Sequence, residues 1–205
     1  MLKPTEESLN LLRKISETAP TSHYHHHILY DIANTYPKDY FLNYVEIGCF
    51  AGGSSSFILQ RPNTRVIAID LGSPIPQEET VYRIQQHNLY KNPFTYIQGN
   101  SHAISTKENL LRIIKNIDIF FIDGGHAKND VLQDFALYEG MVAKNGFIVF
   151  DDYNDWQYSP EVKMAVDFLV STLTNYEILG TFSNVLEAHP KECKEGNCFV
   201  MRKLF

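Results

Sequence analysis

Tyr44-Val-Glu-Ile-Gly-Cys-Phe-Ala-Gly-Gly-Ser54 is the stretch on which the reading of this chain turns. A strand-like segment, 41–47, runs straight into a turn that carries two glycines and has an acid, Glu46, at its mouth. Helix-compatible residues, Ser55-Ser-Phe-Ile-Leu59, follow at once. Gly48 and Gly52 let the backbone bend tightly and let a ligand approach with no Cβ in the way. Such a turn serves many nucleotides, so it fixes the fold class before it fixes a function. Two later strands end in carboxylates, one at Asp123 and one at Asp151-Asp152. A cofactor turn with a second carboxylate cluster points to an enzyme that uses a cofactor and a metal.

Outward from that turn, strand and helix alternate. Strands are predicted at 44–47, 65–69, 95–97, 117–122 and 146–150, the last two as nearly unbroken apolar runs. That is the pattern of central parallel strands covered on both faces. Helices are predicted between them, at 55–60, 79–88, 106–115 and 129–141, with one more at 160–173. Two final strands, 176–181 and 198–203, are expected to close an antiparallel edge. Ahead of the sheet, 5–17 opens on a capping Thr5 and carries apolar residues at helical spacing, and a second helix is expected over 25–34, before Pro37. The expected architecture is one α/β domain, 41–205, with a doubly wound Rossmann-like sheet of seven strands and a final antiparallel strand. Residues 1–40 form a helical N-terminal extension.

Composition narrows the function. The chain has 205 residues, 44% of them hydrophobic and 20% charged, enough for one domain with a substantial core. There is no apolar run of about 18 residues and no basic-then-apolar start, so the expectation is a cytoplasmic protein without a membrane partner. A net charge of −6, from 24 acidic and 18 basic residues, argues against nucleic acid, which needs concentrated Lys and Arg. Cys49, Cys193 and Cys198 make no disulfide framework and read as reduced thiols. A homo-oligomer is left open.

Four motifs, Glu46-Ile-Gly-Cys-Phe-Ala-Gly-Gly, Ala68-Ile-Asp70, Phe121-Ile-Asp-Gly-Gly-His126 and Phe150-Asp-Asp-Tyr153, carry a family resemblance that spans 41 to the C-terminus. With them the chain resembles class I S-adenosylmethionine-dependent methyltransferases. It is most similar to the metal-dependent O-methyltransferases, both the catechol O-methyltransferase type and the sugar enzymes related to macrocin O-methyltransferase. The last two motifs, on consecutive strands, are the specific ones. The resemblance implies S-adenosylmethionine as cofactor, with Glu46, Gly48, Gly52, Ser54, Asp70, Asn100, Ser101 and Asp123 around it. Gly48 and Gly52 would floor the methionine part, Asp70 would accept from the ribose hydroxyls, and Asn100 would read the adenine edge. From the residues alone, a cap or loop residue is the lesser alternative for Asp70, while Asn100 reads equally as a turn former.

Asp123, Asp151 and Asp152 fall at adjacent strand ends, beyond which open α/β sheets bind ligands. Three converging carboxylates repel one another, which raises their pKa values or demands a cation. Mg²⁺, with oxygen ligands at about 2.1 Å, answers that need, and Mn²⁺ or Ca²⁺ can occupy such a site too. The alternative is that Asp151 binds substrate or caps a helix without metal. His126 holds the position where catechol-type relatives carry a lysine, and the resemblance makes it the general base, with Asp123 beside it. Its alternative role is to cap the helix that begins near Lys128. His23, His25, His26 and His27 are adjacent rather than ligand-spaced and read as a solvated or cofactor-lid face. Trp156 is either a wall of the acceptor site or simple packing, and Asp155 is a second-rank contact for a substrate hydroxyl.

The expected reaction is methyl transfer to a hydroxyl of a sugar, in a nucleotide-sugar or glycan. A catechol or other small phenol is the alternative acceptor, and a metal-binding cephalosporin-hydroxylase-like enzyme is the alternative class.

Overall fold

Val45, Ile47, Ile67, Phe120 and Ile122 pack on one face of the sheet, while Tyr44, Val66, Ala68, Ile119 and Phe121 pack on the other. Apolar residues at both parities leave no solvent face, so the sheet is stable only as the middle layer of three. The computed structural model describes residues 5–16, 26–182 and 198–205. Its strands are β1 (Leu42–Ile47), β2 (Thr64–Asp70), β3 (Phe94–Gln98), β4 (Ile117–Ile122), β5 (Val142–Phe150), β6 (Tyr176–Phe182) and β7 (Cys198–Lys203), in the spatial order β3-β2-β1-β4-β5-β7-β6. The first five are parallel, and β7 runs antiparallel between β5 and β6. The expected seven-stranded, doubly wound α/β sheet is what forms.

Winding proceeds outward from β1 to β3, then returns to β4 on the other side of β1. The strand order reverses between β1 and β4, and their carboxyl ends flank the crevice that such a reversal opens. Ile47 pairs with Ile122 and Ile69 with Ile47, so β1, β2 and β4 end level with one another. Their terminal loops therefore share one rim.

The covering helices are α1 (Glu6–Ser16), α2 (His27–Ala33), α3 (Gly53–Ile58), α4 (Gln77–Gln86), α5 (Ile104–Ile113), α6 (Lys128–Tyr138) and α7 (Pro160–Thr172), with a 3-10 turn at Glu139–Met141. Leu110, Val131, Phe135, Val162 and Val166 bring α5, α6 and α7 onto one face, whereas Ile28, Leu29, Ile32, Ile58 and Ile84 bring α2, α3 and α4 onto the other. No described helix is long and apolar enough to cross a membrane.

The N-terminal helices are locked to the sheet rather than appended to it. Thr5 and Ser8 cap α1 reciprocally, each hydroxyl accepting the other's backbone N–H at 3.1 Å. The same hydroxyls donate to Asp31 of α2, at 3.1 Å from Ser8 and 3.3 Å from Thr5. Every residue of α2 is buried, and of the two alternatives for the histidine run, a solvated or a cofactor-lid face, this rules out the solvated one for His26 and His27. His26 is 3% and His27 2% exposed. Adjacent histidines look solvent-bound by composition, but here the helix that follows carries Ile28, Leu29, Ile32 and Ala33 into the core and takes them along. His23, His25 and Cys193 lie outside the described residues; Cys49 and Cys198 are free and buried.

Candidate functional site

A cavity of about 680 Å³ opens at the carboxyl ends of β1, β2, β3 and β4. One wall is the turn after β1. Gly48 and Gly52 both have φ +82°, and Phe50 is held at φ +44°, so the chain coils tightly in the left-handed region that glycine tolerates best. Asp70 fixes the coil from the end of β2. Its Oδ2 accepts the N–H groups of Cys49 at 2.7 Å and Phe50 at 3.1 Å, and its Oδ1 accepts that of Gly72 at 2.7 Å. Asp70 is thus both a cavity residue and the staple that shapes the turn.

Of the expected cofactor residues, Gly48, Ser54, Asp70, Asn100, Ser101 and Asp123 line this cavity, and Glu46 and Gly52 do not. Glu46 points the other way, beneath α3. Its carboxylate accepts from the hydroxyls of Tyr44 at 2.7 Å and of Ser54 and Ser55 at 2.6 Å each, with no exposure at all. Burial raises its pKa, and the hydroxyl donors oppose that rise. Gly52 is required by packing. A Cβ there would lie 2.3 Å from Cγ1 of Ile84, where α4 crosses the start of α3.

The opposite wall is the loop after β3. Asn100 Oδ1 accepts the His102 N–H at 2.9 Å, so the residue does shape a turn while facing the cavity. Ser101 gives its carbonyl to the Tyr138 hydroxyl at 2.6 Å. His102, which the sequence reading did not single out, sets its Nε2 3.2 Å from Oδ1 of the fully buried Asp134 on α6. Burial pushes that carboxyl up to about 6, against the pull of Ser101 and His102. No local pattern links a loop histidine to a helical acid so far along the chain.

The acids gather at the end of β4 and β5, but in two groups. Asp123 lines the cavity, whereas Asp151 and Asp152 are buried behind it. One atom each of His26, Asp123 and Asp151 lies within 4.8 Å of the others, and the same holds for Asp123, His126 and Asp152. Asp123 is common to both, and Asp151 and Asp152 fall on different sides, where a single three-acid centre was expected. Burial, followed by the neighbouring Asp151 and Asp152, drives the Asp123 pKa well above the carboxylate range, and a hydrogen bond joins it to Asp151. Crowded, buried carboxyls with an imidazole beside them are groups that a divalent cation can relieve, so the donor set fits a metal.

His126 is anchored at both ring nitrogens. Nδ1 is 2.8 Å from the Ser159 hydroxyl and Nε2 is 3.2 Å from Asp152 Oδ2, while Ser159 also bonds Asp152 Oδ2 at 3.0 Å. Asp152 itself takes φ +57°, an arrangement that aspartate tolerates better than most residues and that concentrates at functional sites. Asp155, the second-rank acceptor contact, instead spends Oδ1 on the N–H groups of Gln157 and Tyr158 at 3.0 Å each. Trp156 is exposed beyond the cavity lining.

A family profile described as a methyltransferase domain matches residues 45–153. Over 173 residues the chain is 38% identical to an uncharacterized protein of Acanthamoeba polyphaga mimivirus, covering 80% of this chain and 78% of that protein. An O-methyltransferase from Bacillus cereus, solved in complex with SAH, superposes with a TM-score of 0.61 at 15% identity, covering 100% of this chain and 94% of that one. A TDP-rhamnose 3′-O-methyltransferase of calicheamicin biosynthesis superposes with a TM-score of 0.60 at 12% identity, covering 97% and 81%. These two likenesses are likenesses of fold.

Proposed function

The chain belongs to a methyltransferase-domain family, and from that premise we propose that it transfers the methyl group of S-adenosylmethionine to a hydroxyl of a sugar, in a nucleotide-sugar or glycan. One observation carries this reading: a single cavity joins Asp70 and the Asn100–His102 loop to Asp123 and His126. The first pair offers a carboxylate and an amide to a nucleoside. The second offers acids and a base to an acceptor hydroxyl.

In this reading the sulfonium carbon–sulfur bond breaks as the carbon–oxygen bond forms, and the hydroxyl proton passes to His126 Nε2. S-adenosylhomocysteine leaves as a neutral thioether, so no acid is required. The acids expected to hold Mg²⁺ or another divalent cation, Asp123, Asp151 and Asp152, fall in two groups that share Asp123, and a cation held by either group would supply Lewis acidity toward the hydroxyl. Ser159 fixes the imidazole plane, and Asp152 beside Nε2 stabilises the imidazolium that forms. The sugar acceptor is favoured by a histidine where phenol-directed relatives use lysine, and by the fold shared with a TDP-rhamnose enzyme. The proposed setting is the cytoplasm, without nucleic-acid or membrane partners.

Calorimetric titration with S-adenosylhomocysteine tests the donor; micromolar binding is expected, and none at millimolar concentration would sink the reading. Methyl-labelled donor offered with nucleoside-diphosphate sugars and with catechols tests the acceptor. Label on catechols alone would move the acceptor to phenols, and an oxidised product without label would move the protein to another class.

A further inference from the structure

The two histidine–carboxylate groups that share Asp123 differ in burial and in origin. His126 stands at the rim with its side chain 42% exposed, and both its nitrogens are engaged by Ser159 and Asp152. His26 comes from the N-terminal segment and lies in the floor, its side chain 4% exposed against 1% for Asp151. We infer that His26, Asp123 and Asp151 form a cation site in which the imidazole is a metal ligand, and that this nitrogen selects Mn²⁺, Fe²⁺, Co²⁺ or Zn²⁺ over Mg²⁺ and Ca²⁺. The inference deepens the metal part of the proposed function and is independent of the methyl donor.

Geometry supports it first. His26 Nε2 is 3.8 Å from Asp151 Oδ2, and the three donor atoms lie within 4.8 Å of one another. Ligands of one ion with bonds of about 2.1 Å sit roughly 3–3.5 Å apart, so a small rotation of these side chains closes the shell. At 3.8 Å the His26–Asp151 pair is too long for a hydrogen bond but suited to an ion between the two.

Both residues are held in place by contacts that leave the relevant atoms facing each other. The His26 ring stands edge-on to Phe121 of β4, with centroids 5.7 Å apart and planes at 86°. It immediately precedes α2, whose residues are all buried, so the imidazole is carried by a packed helix instead of a free loop. The buried Cys198 thiol donates to Asp151 Oδ1 at 3.6 Å, while Oδ2 faces the imidazole. Partners of this kind orient a ligand before the metal arrives.

Charge supplies the demand. Two adjacent carboxylates, Asp123 lining the cavity and Asp151 buried behind it, are costly to hold ionised unless a cation compensates them. Among the described residues, no lysine or arginine lines the cavity. An imidazole among the donors then decides which cation fits, because Mg²⁺ and Ca²⁺ take oxygen ligands whereas later divalent ions accept nitrogen readily.

The test uses chelator-treated full-length protein and the metals alone. Mn²⁺-loaded protein should show spin-echo modulation from a directly bound nitrogen, and Co²⁺ should bind about 10-fold or more tighter than Mg²⁺. His126→Gln should keep both signatures, and His26→Gln should lose both while folding normally by circular dichroism. Loss of the nitrogen signal in His126→Gln, its persistence in His26→Gln, or equal Co²⁺ and Mg²⁺ affinity would overturn the inference. The wild-type and His126→Gln measurements decide it even if His26→Gln fails to fold. S-adenosylhomocysteine titration of the same samples separates the outcomes: binding without metal uptake removes only this site, and metal uptake without binding removes only the methyl donor.

Discussion

A Cβ built on Gly48 would lie 1.8 Å from the carbonyl oxygen of Asp123. The turn after β1 and the end of β4 therefore touch backbone to backbone, at the point where the nucleoside half of the cavity meets the acidic half. Gly48→Ala meets both that contact and a φ of +82°. It should cost about 4 kcal/mol or more, the range reserved for a named steric failure. In a domain of this size that lowers Tm by roughly 8–16 °C. Gly140, with nothing within 4 Å of its added Cβ, is the control, and Gly140→Ala should stay within about 1 kcal/mol of wild type. A Gly48→Ala protein that melts with the wild type would show that the two strand ends are not in contact.

Glu46 joins β1 to α3 through three hydroxyl donors, from Tyr44, Ser54 and Ser55. Glu46→Ala strands those donors in the core and should destabilise by roughly 2–5 kcal/mol. Glu46→Gln keeps an acceptor oxygen and should lose less. Affinity for S-adenosylhomocysteine, measured on folded Glu46→Gln, should fall only modestly, since the side chain does not line the cavity. A loss beyond about 100-fold with the fold intact would return Glu46 to the ligand site.

The sheet and the strand-end acids were legible in the sequence because they rest on local pattern. Ile117-Asp-Ile-Phe-Phe-Ile122 is apolar at both parities, which only a doubly covered strand requires, and Asp123 follows where such a strand must end. That Glu46 and Gly52 face away from the cavity was not legible, because a glycine turn declares its torsion but not the direction of the missing Cβ. The same turn is compatible with a ligand or with Ile84 overhead. His26 escaped because its meaning depends on Asp151, at the end of β5 and far along the chain, and its immediate neighbours suggested solvent. Pairings across the layers of the fold leave no periodic trace.

Asp134 sits in the middle of α6 with its carboxylate against the loop after β4, where a Cβ on Gly124 would lie 3.1 Å from Oδ2, and this residue sets a pH dependence. Its carboxyl is pushed up to about 6, chiefly by burial. In the unfolded chain an aspartate titrates at about 3.9. Between those values the folded protein holds a proton that the unfolded chain has released. The stability contributed by this group is therefore full below about pH 4 and is lost as pH rises through about 6. Asp31, buried between α1 and α2, is also pushed up to about 6 and acts with the same sign. Denaturant unfolding of Asp134→Asn should show the variant gaining on the wild type as pH rises from about 4 to about 6.5. A constant difference across that window would show that Asp134 ionises as freely in the folded state as in the unfolded one.

The hydrogen bonds around His126 favour the state it would reach as a base. Ser159 has one hydroxyl proton, and a bond at 3.0 Å to Asp152 Oδ2 uses it. Nδ1, 2.8 Å from the same hydroxyl oxygen, is then the donor of that pair. Nε2 faces Asp152 Oδ2 at 3.2 Å, a contact that is attractive only when Nε2 also carries a proton. A proton passed to Nε2 from an acceptor hydroxyl would therefore be met by the Asp152 carboxylate. His126→Gln keeps the size and a hydrogen-bonding group but cannot take that proton. Turnover on an accepted hydroxyl substrate should fall roughly 10²–10⁴-fold, the contribution of a positioned base. S-adenosylhomocysteine affinity, read by calorimetry, should change little. Near-normal turnover would move the base role to Asp123, which lines the same cavity.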